Sequence, residues 1–126
     1  MLLRMYTARI QPDIIVLEFS GKIITGPESQ EIEKEVHSQL ALNEKKFIFD
    51  LTGVDYVDST GMGIIAQCFA TVMRADGGFR VAGASGKVQQ LFRTTRLDTI
   101  LTFYPTVAAA SQNFAIGWAA GAQNPW

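Results

Sequence analysis

The feature that most restricts the fold of this chain is a continuous apolar run, Phe47-Ile48-Phe49, which leads into Asp50-Leu51. Successive side chains of a β-strand point to opposite faces, so three large apolar residues in a row need cover on both sides. A strand with one wet face would alternate apolar and polar residues. An uninterrupted run instead suits a strand inside a parallel sheet. Downstream comes Asp55-Tyr56-Val57-Asp58-Ser59-Thr60-Gly61-Met62-Gly63, and then Ile65, Cys68, Phe69 and Val72 at helical spacing. The chain thus leaves a buried strand, residues 46–51, through a polar loop, residues 55–63, and enters an amphipathic helix near Ser59.

The remaining pattern extends this unit in both directions. Residues 3–10 and 14–20 flank Gln11-Pro12-Asp13, where Pro and Asp favour a tight turn, so the chain opens with an antiparallel hairpin. Residues 21–26 read as a loop, and Pro27 suits the first position of a helix. Glu28 and Glu31 favour that helix end, and Ile32, Val36 and Leu40 share one face; the helix should stop near Asn43. His37 falls on its charged side. After the second helix, Gly77-Gly78 follows Asp76 as a terminator. Residues 79–83 form a third core strand. Residues 87–94 form a short helix that buries Val88, Leu91 and Phe92, and residues 100–104 a last strand before Pro105. Thr106 opens a final helix with Val107, Ala110 and Phe114 inward. Alternating strands and helices joined by right-handed crossovers give an α/β fold. Its central sheet is mostly parallel, with an N-terminal antiparallel hairpin and about four helices. Functional loops then lie at the carboxyl ends of the parallel strands. Residues 21–26, 55–63 and 83–86 should converge on one surface.

Residues 1–114 account for one domain. Residues 115–126 are an apolar tail interrupted by Gly117 and Gly121 and carrying both Trp118 and Trp126. Such a tail either packs along the domain or serves interaction and self-association.

Composition narrows the function classes. A net charge of −1 with no basic block argues against a nucleic-acid partner. The lone Cys68 sits in an apolar stripe, which points to a reducing compartment. Arg4 interrupts the first apolar run, and no stretch approaches the ~18 apolar residues of a membrane span. The expected location is the cytoplasm. No His/Ser/Asp or Cys/His set suggests nucleophilic catalysis, so an enzyme is not expected. Gly61 and Gly63 lack the following Gly-Lys-Ser/Thr of a phosphate-cradling loop. Asp50, Asp55 and Asp58 suggest an acidic Mg²⁺ site, but that chemistry wants a Lys at the end of the last strand, where Phe103-Tyr104-Pro105 stands. Neither metal nor cofactor is expected.

The residues around Ser59 suit being modified better than modifying. Either Asp58 or Ser59 fits the N-cap of the helix, a role worth ~1 kcal/mol. Ser59 is also placed to accept a phosphate, since a first helical turn offers free N–H groups and a positive dipole end. A phosphate adds roughly −1.5 to −2 charges. Asp58 can cap the helix or orient the Ser59 hydroxyl. Gly61 and Gly63 let either a partner's backbone or this protein's own sheet approach closely. Met62 is expected on the exposed first turn as a flexible docking side chain. Thr60 is the alternative phosphosite.

Residues 47–63, from Phe47-Ile48-Phe49-Asp50-Leu51 through Asp58-Ser59-Thr60-Gly61-Met62-Gly63, resemble the STAS family, the sulfate transporter and anti-sigma-factor antagonist domain. The strand at 79–83 and the segment 88–97 with Leu91-Phe92 and Leu97 are similar too, so the resemblance covers roughly residues 2–114. The resemblance implies a phosphorylation-switched antagonist with Ser59 as the phosphoserine. The unphosphorylated form would bind an anti-sigma serine kinase and release the sigma factor. A PP2C-type phosphatase would reset the switch. Lys22, Ile24, Asp58, Ser59, Thr60, Gly61, Met62 and Ser85 are the expected partner-binding residues. Alternatives are a subunit of a stressosome-like or lipid-transporter ATPase complex and, from another class, a small nucleotide-binding protein or enzyme.

Overall fold

The computed structural model describes residues 3–116. Five strands form one sheet in the order β1-β2-β3-β4-β5. β1 (Leu3–Ile10) pairs antiparallel with β2 (Ile14–Ile23), and β3 (Lys46–Val57), β4 (Gly78–Ala82) and β5 (Thr102–Tyr104) follow in parallel. The helices α1 (Pro27–Ala41), α2 (Ser59–Arg74), α3 (Gly86–Thr94) and α4 (Val107–Ser111) fill the connections and close the chain, with a 3₁₀ turn at Leu97–Thr99.

The apolar run at the centre behaves as its pattern requires. Phe47, Phe49 and Leu51 join the larger core beneath α1, α2 and α3, whereas Ile48 faces the opposite side with Ile14, Val16, Ala110 and Phe114. Aromatic rings tie the larger core together: Phe49 lies 5.0 Å from Phe19 and 4.6 Å from Phe79, centroid to centroid. The smaller core is closed by α4 and held by Arg80. Its guanidinium donates to the carbonyls of Ala110, Gln112 and Asn113 at 2.7, 2.8 and 3.0 Å and lies 4.3 Å from the Phe114 ring. No local pattern announces this clamp, because Arg80 in the sequence is a polar residue within an apolar strand.

Several boundaries differ from the sequence reading. β3 continues to Val57 and β2 to Ile23 instead of ending at Leu51 and Ser20. The extension pairs Ser20 with Gly53, Gly21 with Val54, Lys22 with Tyr56 and Ile23 with Val57, across two register shifts. Those bulges break the period-two pattern, so the buried positions fall at Leu51, Val54 and Val57 and resemble a loop in sequence. β5 begins at Thr102, because residues 97–99 wind into the 3₁₀ turn. α4 stops at Ser111, yet Phe114 is buried as expected. The expected tail lies almost wholly outside the described residues; Ala115 and Ile116 are exposed.

Candidate functional site at the start of helix α2

The site is built where β3 hands over to α2. Asp58 adopts an extended conformation and its Oδ1 accepts from the Gly61 N–H at 2.7 Å, which makes it the N-cap. Its Oδ2 accepts from the Thr25 N–H at 3.1 Å and from Thr25 Oγ1 at 3.4 Å. One carboxylate therefore starts α2 and also fastens the β2–α1 loop to it. These bonds, led by the one from Gly61, favour the ionised form and hold the Asp58 pKa below its ordinary value. Capping thus falls to Asp58, and the N–H of Gly61 is no longer free for an incoming anion.

Ser59 is then the first helical residue. It is exposed, and its hydroxyl makes no hydrogen bond to a described residue. Thr60 is exposed beside it, but the two hydroxyls open onto different grooves. Ser59 lines a groove of about 560 Å³ with Tyr56, Val57 and, from α3, Lys87, Gln90 and Leu91. Thr60 lines one of about 520 Å³ with Thr25, Gln30, Glu33 and His37 of the α1 side.

Two expected docking residues belong to the interior. Met62 is only 3% exposed. It lies three residues before Ile65, on the same helical stripe, so a helix that starts at Ser59 must turn Met62 into the core. Gly61 is buried as well: a Cβ there would stand 2.1 Å from the carbonyl oxygen of Ile23. This glycine lets α2 pack on the end of β2 and gives no access to a partner's backbone. Gly63 is the opposite case, exposed and with nothing within 4 Å of a Cβ.

The loops at the strand ends do gather, in part. Thr25 of the first bonds to Asp58, and Lys22 on β2 pairs with Asp55 at 3.3 Å and lies 5.6 Å from the centre of the Tyr56 ring. The third loop packs against β3 through Gly83, whose Cβ position is 2.1 Å from Thr52 Oγ1. Ser85 is exposed at the N-cap of α3, and Ile24 is half-buried with its carbonyl accepting from Ser29; neither lines the groove of Ser59. Thr25 and Lys87 were not singled out from the sequence. Each reaches the site from another loop or helix, and only the position of Thr25 inside residues 21–26 hinted at it. Among the described residues, no group of three or more His, Cys, Asp and Glu is arranged to hold a metal ion, and no helix is long and apolar enough to cross a membrane.

Comparison with known proteins identifies the fold. Residues 5–110 match the STAS domain. A protein of Thermotoga maritima named "Putative anti-sigma factor antagonist" is 26% identical over 92 residues, spanning 63% of this chain and 81% of that protein. The crystal structure of an anti-sigma factor antagonist from Mycobacterium paratuberculosis superposes with a TM-score of 0.75 at 21% identity, covering 86% of this chain and 90% of that one. SpoIIAA, described as an anti-sigma factor antagonist, superposes in its unphosphorylated form with a TM-score of 0.73 at 14% identity, over 85% of this chain and 92% of that one. The phosphorylated form of the Bacillus protein gives 0.68 at 13% identity, over 85% and 96%. At these identities the superpositions show the shared fold.

Proposed function

From the premise that this chain belongs to the STAS domain family, we propose that it is an anti-sigma-factor antagonist switched by phosphorylation of Ser59. The observation that carries the reading is the division of labour at the start of α2. Asp58 takes the cap, so the neighbouring Ser59 hydroxyl is left exposed on a rigid helix end. A serine that is not needed to hold the helix can be modified without unfolding it. The relatives named as antagonists, one of them known in a phosphorylated form, support the same role.

In this function the unphosphorylated chain binds an anti-sigma serine kinase, and the sigma factor is released. The kinase transfers the γ-phosphoryl group of ATP to Ser59 Oγ; the hydroxyl proton is lost and ADP leaves. The dianion beside Asp58 then places like charges in a surface that docking must desolvate. A PP2C-type phosphatase hydrolyses the ester and restores binding. The chain itself acts as a binding module and carries out no chemistry.

Thr60 is the alternative phosphosite, exposed on a different groove that it shares with Glu33, Lys34 and His37 of α1. Incubation with the candidate kinase and ATP, followed by mass-spectrometric mapping, tests the assignment. Phosphate is expected on Ser59 and absent from Ser59→Ala. Unchanged phosphate incorporation into Ser59→Ala would overturn it and move the site to Thr60.

A further inference from the structure

The geometry points to Lys87 of α3 as the cation that receives a phosphate on Ser59, so that phosphorylation fills the groove between the start of α2 and α3. This inference rests on the reading of Ser59 as the phosphosite and adds how the modified form is held.

A phosphate at the start of a helix ordinarily takes the free N–H groups there. Here the Asp58 carboxylate already accepts from Gly61, and its second oxygen is held by Thr25. The phosphate therefore meets a fixed negative charge on its N-terminal side, and the one cation lining its groove stands across from it on α3. Lys87 and Asp58 are the only charged residues among those lining the groove of Ser59. Lys87 is exposed and makes no ion pair with a described residue, so its ammonium is available on a flexible four-carbon stem. The other cations nearby are engaged or turned away. Lys22 is paired with Asp55, and Arg93 does not line the groove of Ser59: it lines an adjoining depression along α3, shared with Lys87, Gln90 and Thr94, and its guanidinium donates to Gln89. Gln90 and Thr94 add neutral donors along the same wall.

Seating the phosphate here does two things at once. It occupies the mouth of a groove of about 560 Å³ and neutralises its one lysine. A partner that docks on this groove through an acidic group would lose its cation in the same event that adds negative charge.

The test uses the full chain carrying phosphoserine at position 59, installed during translation so that it does not depend on any kinase. A ³¹P NMR titration reads the second pKa of the phosphate, ordinarily about 6. A cation at hydrogen-bonding range lowers it, and exposed ion pairs of this kind move such a value by about 0.2–0.7. Lys87→Ala is expected to raise the phosphate pKa by that amount, Lys87→Arg to leave it near wild type, and Arg93→Ala to leave it unchanged. Equal titration of wild type and Lys87→Ala would overturn the assignment, as would an equally large change in Arg93→Ala, which would mean a general field of α3. Failure of a serine kinase to modify Ser59 would sink the functional reading instead and leaves these titrations interpretable.

Discussion

Along its own length β3 passes through two differently built regions. From Lys46 to Asp50 it pairs with β2 on one side and β4 on the other, in unbroken register. From Leu51 to Val57 it pairs with β2 alone, across two register shifts, and its other edge faces α3. The first region carries Phe47, Ile48 and Phe49, each fully buried. The second carries exposed Thr52, Asp55 and Tyr56 and delivers the chain to Asp58 and Ser59. The difference separates two duties. The body supplies apolar burial, which dominates stability. The extension lifts the start of α2 past the end of β4 and leaves grooves on either side of it, at little cost to the core.

Substitutions can break this division, and the largest effect belongs to the body. Phe49→Ala removes a ring packed between Phe19 and Phe79 and is expected to cost ~3–5 kcal/mol in urea unfolding. A cost below ~1 kcal/mol would mean that the body is not where stability resides. Next come the two glycines of α2. Gly61→Ala drives a methyl group onto the Ile23 carbonyl and is expected to destabilise by ~1–3 kcal/mol. Gly63→Ala meets open space and is expected to stabilise by up to ~1 kcal/mol through helix propensity. Equal effects at the two positions would contradict the packing of α2 on the end of β2.

Asp58→Ala should cost ~1 kcal/mol at neutral pH through loss of the cap. The folded-state pKa of Asp58 lies below its ordinary value of 3.8, so its contribution is present above that value and is lost as pH falls through the folded value. The stability difference between wild type and Asp58→Asn should therefore shrink in acid, which parallel urea titrations at pH 7 and pH 3 would read. A difference that grows on acidification would contradict the hydrogen-bonded carboxylate. The smallest effect is expected at Ser59→Ala, within ~0.5 kcal/mol of wild type, because Asp58 holds the helix. A loss above ~1.5 kcal/mol would make Ser59 a structural residue and weaken its reading as a switch.

How much of this was legible depended on the kind of signal. Phe47-Ile48-Phe49 identified a doubly buried strand because the pleat ties neighbouring side chains to opposite faces, a local rule. The spacing of Ile65, Cys68 and Val72 identified α2 in the same way, and extending that stripe back by one turn would have placed Met62 in the core. The bulged extension of β2 and β3 was not legible, since a register shift erases the alternation by which a strand is recognised. Asp58 and Ser59 were both credible caps from sequence. The choice fell to Asp58 because its carboxylate also meets Thr25, a residue 33 positions away.

By itself, then, the sequence determined the α/β architecture, the order of its helices and parallel strands, and the presence of a small hydroxyl at a helix start. These follow from side-chain periodicity and backbone preference, which act over a few residues. Tertiary structure alone decided which carboxylate caps α2, that Gly61 and Met62 face inward, that Arg80 closes the second core, and that Lys87 shares a groove with Ser59. Each depends on how far separate elements approach one another in space, a distance that burial and register set and that no local pattern encodes.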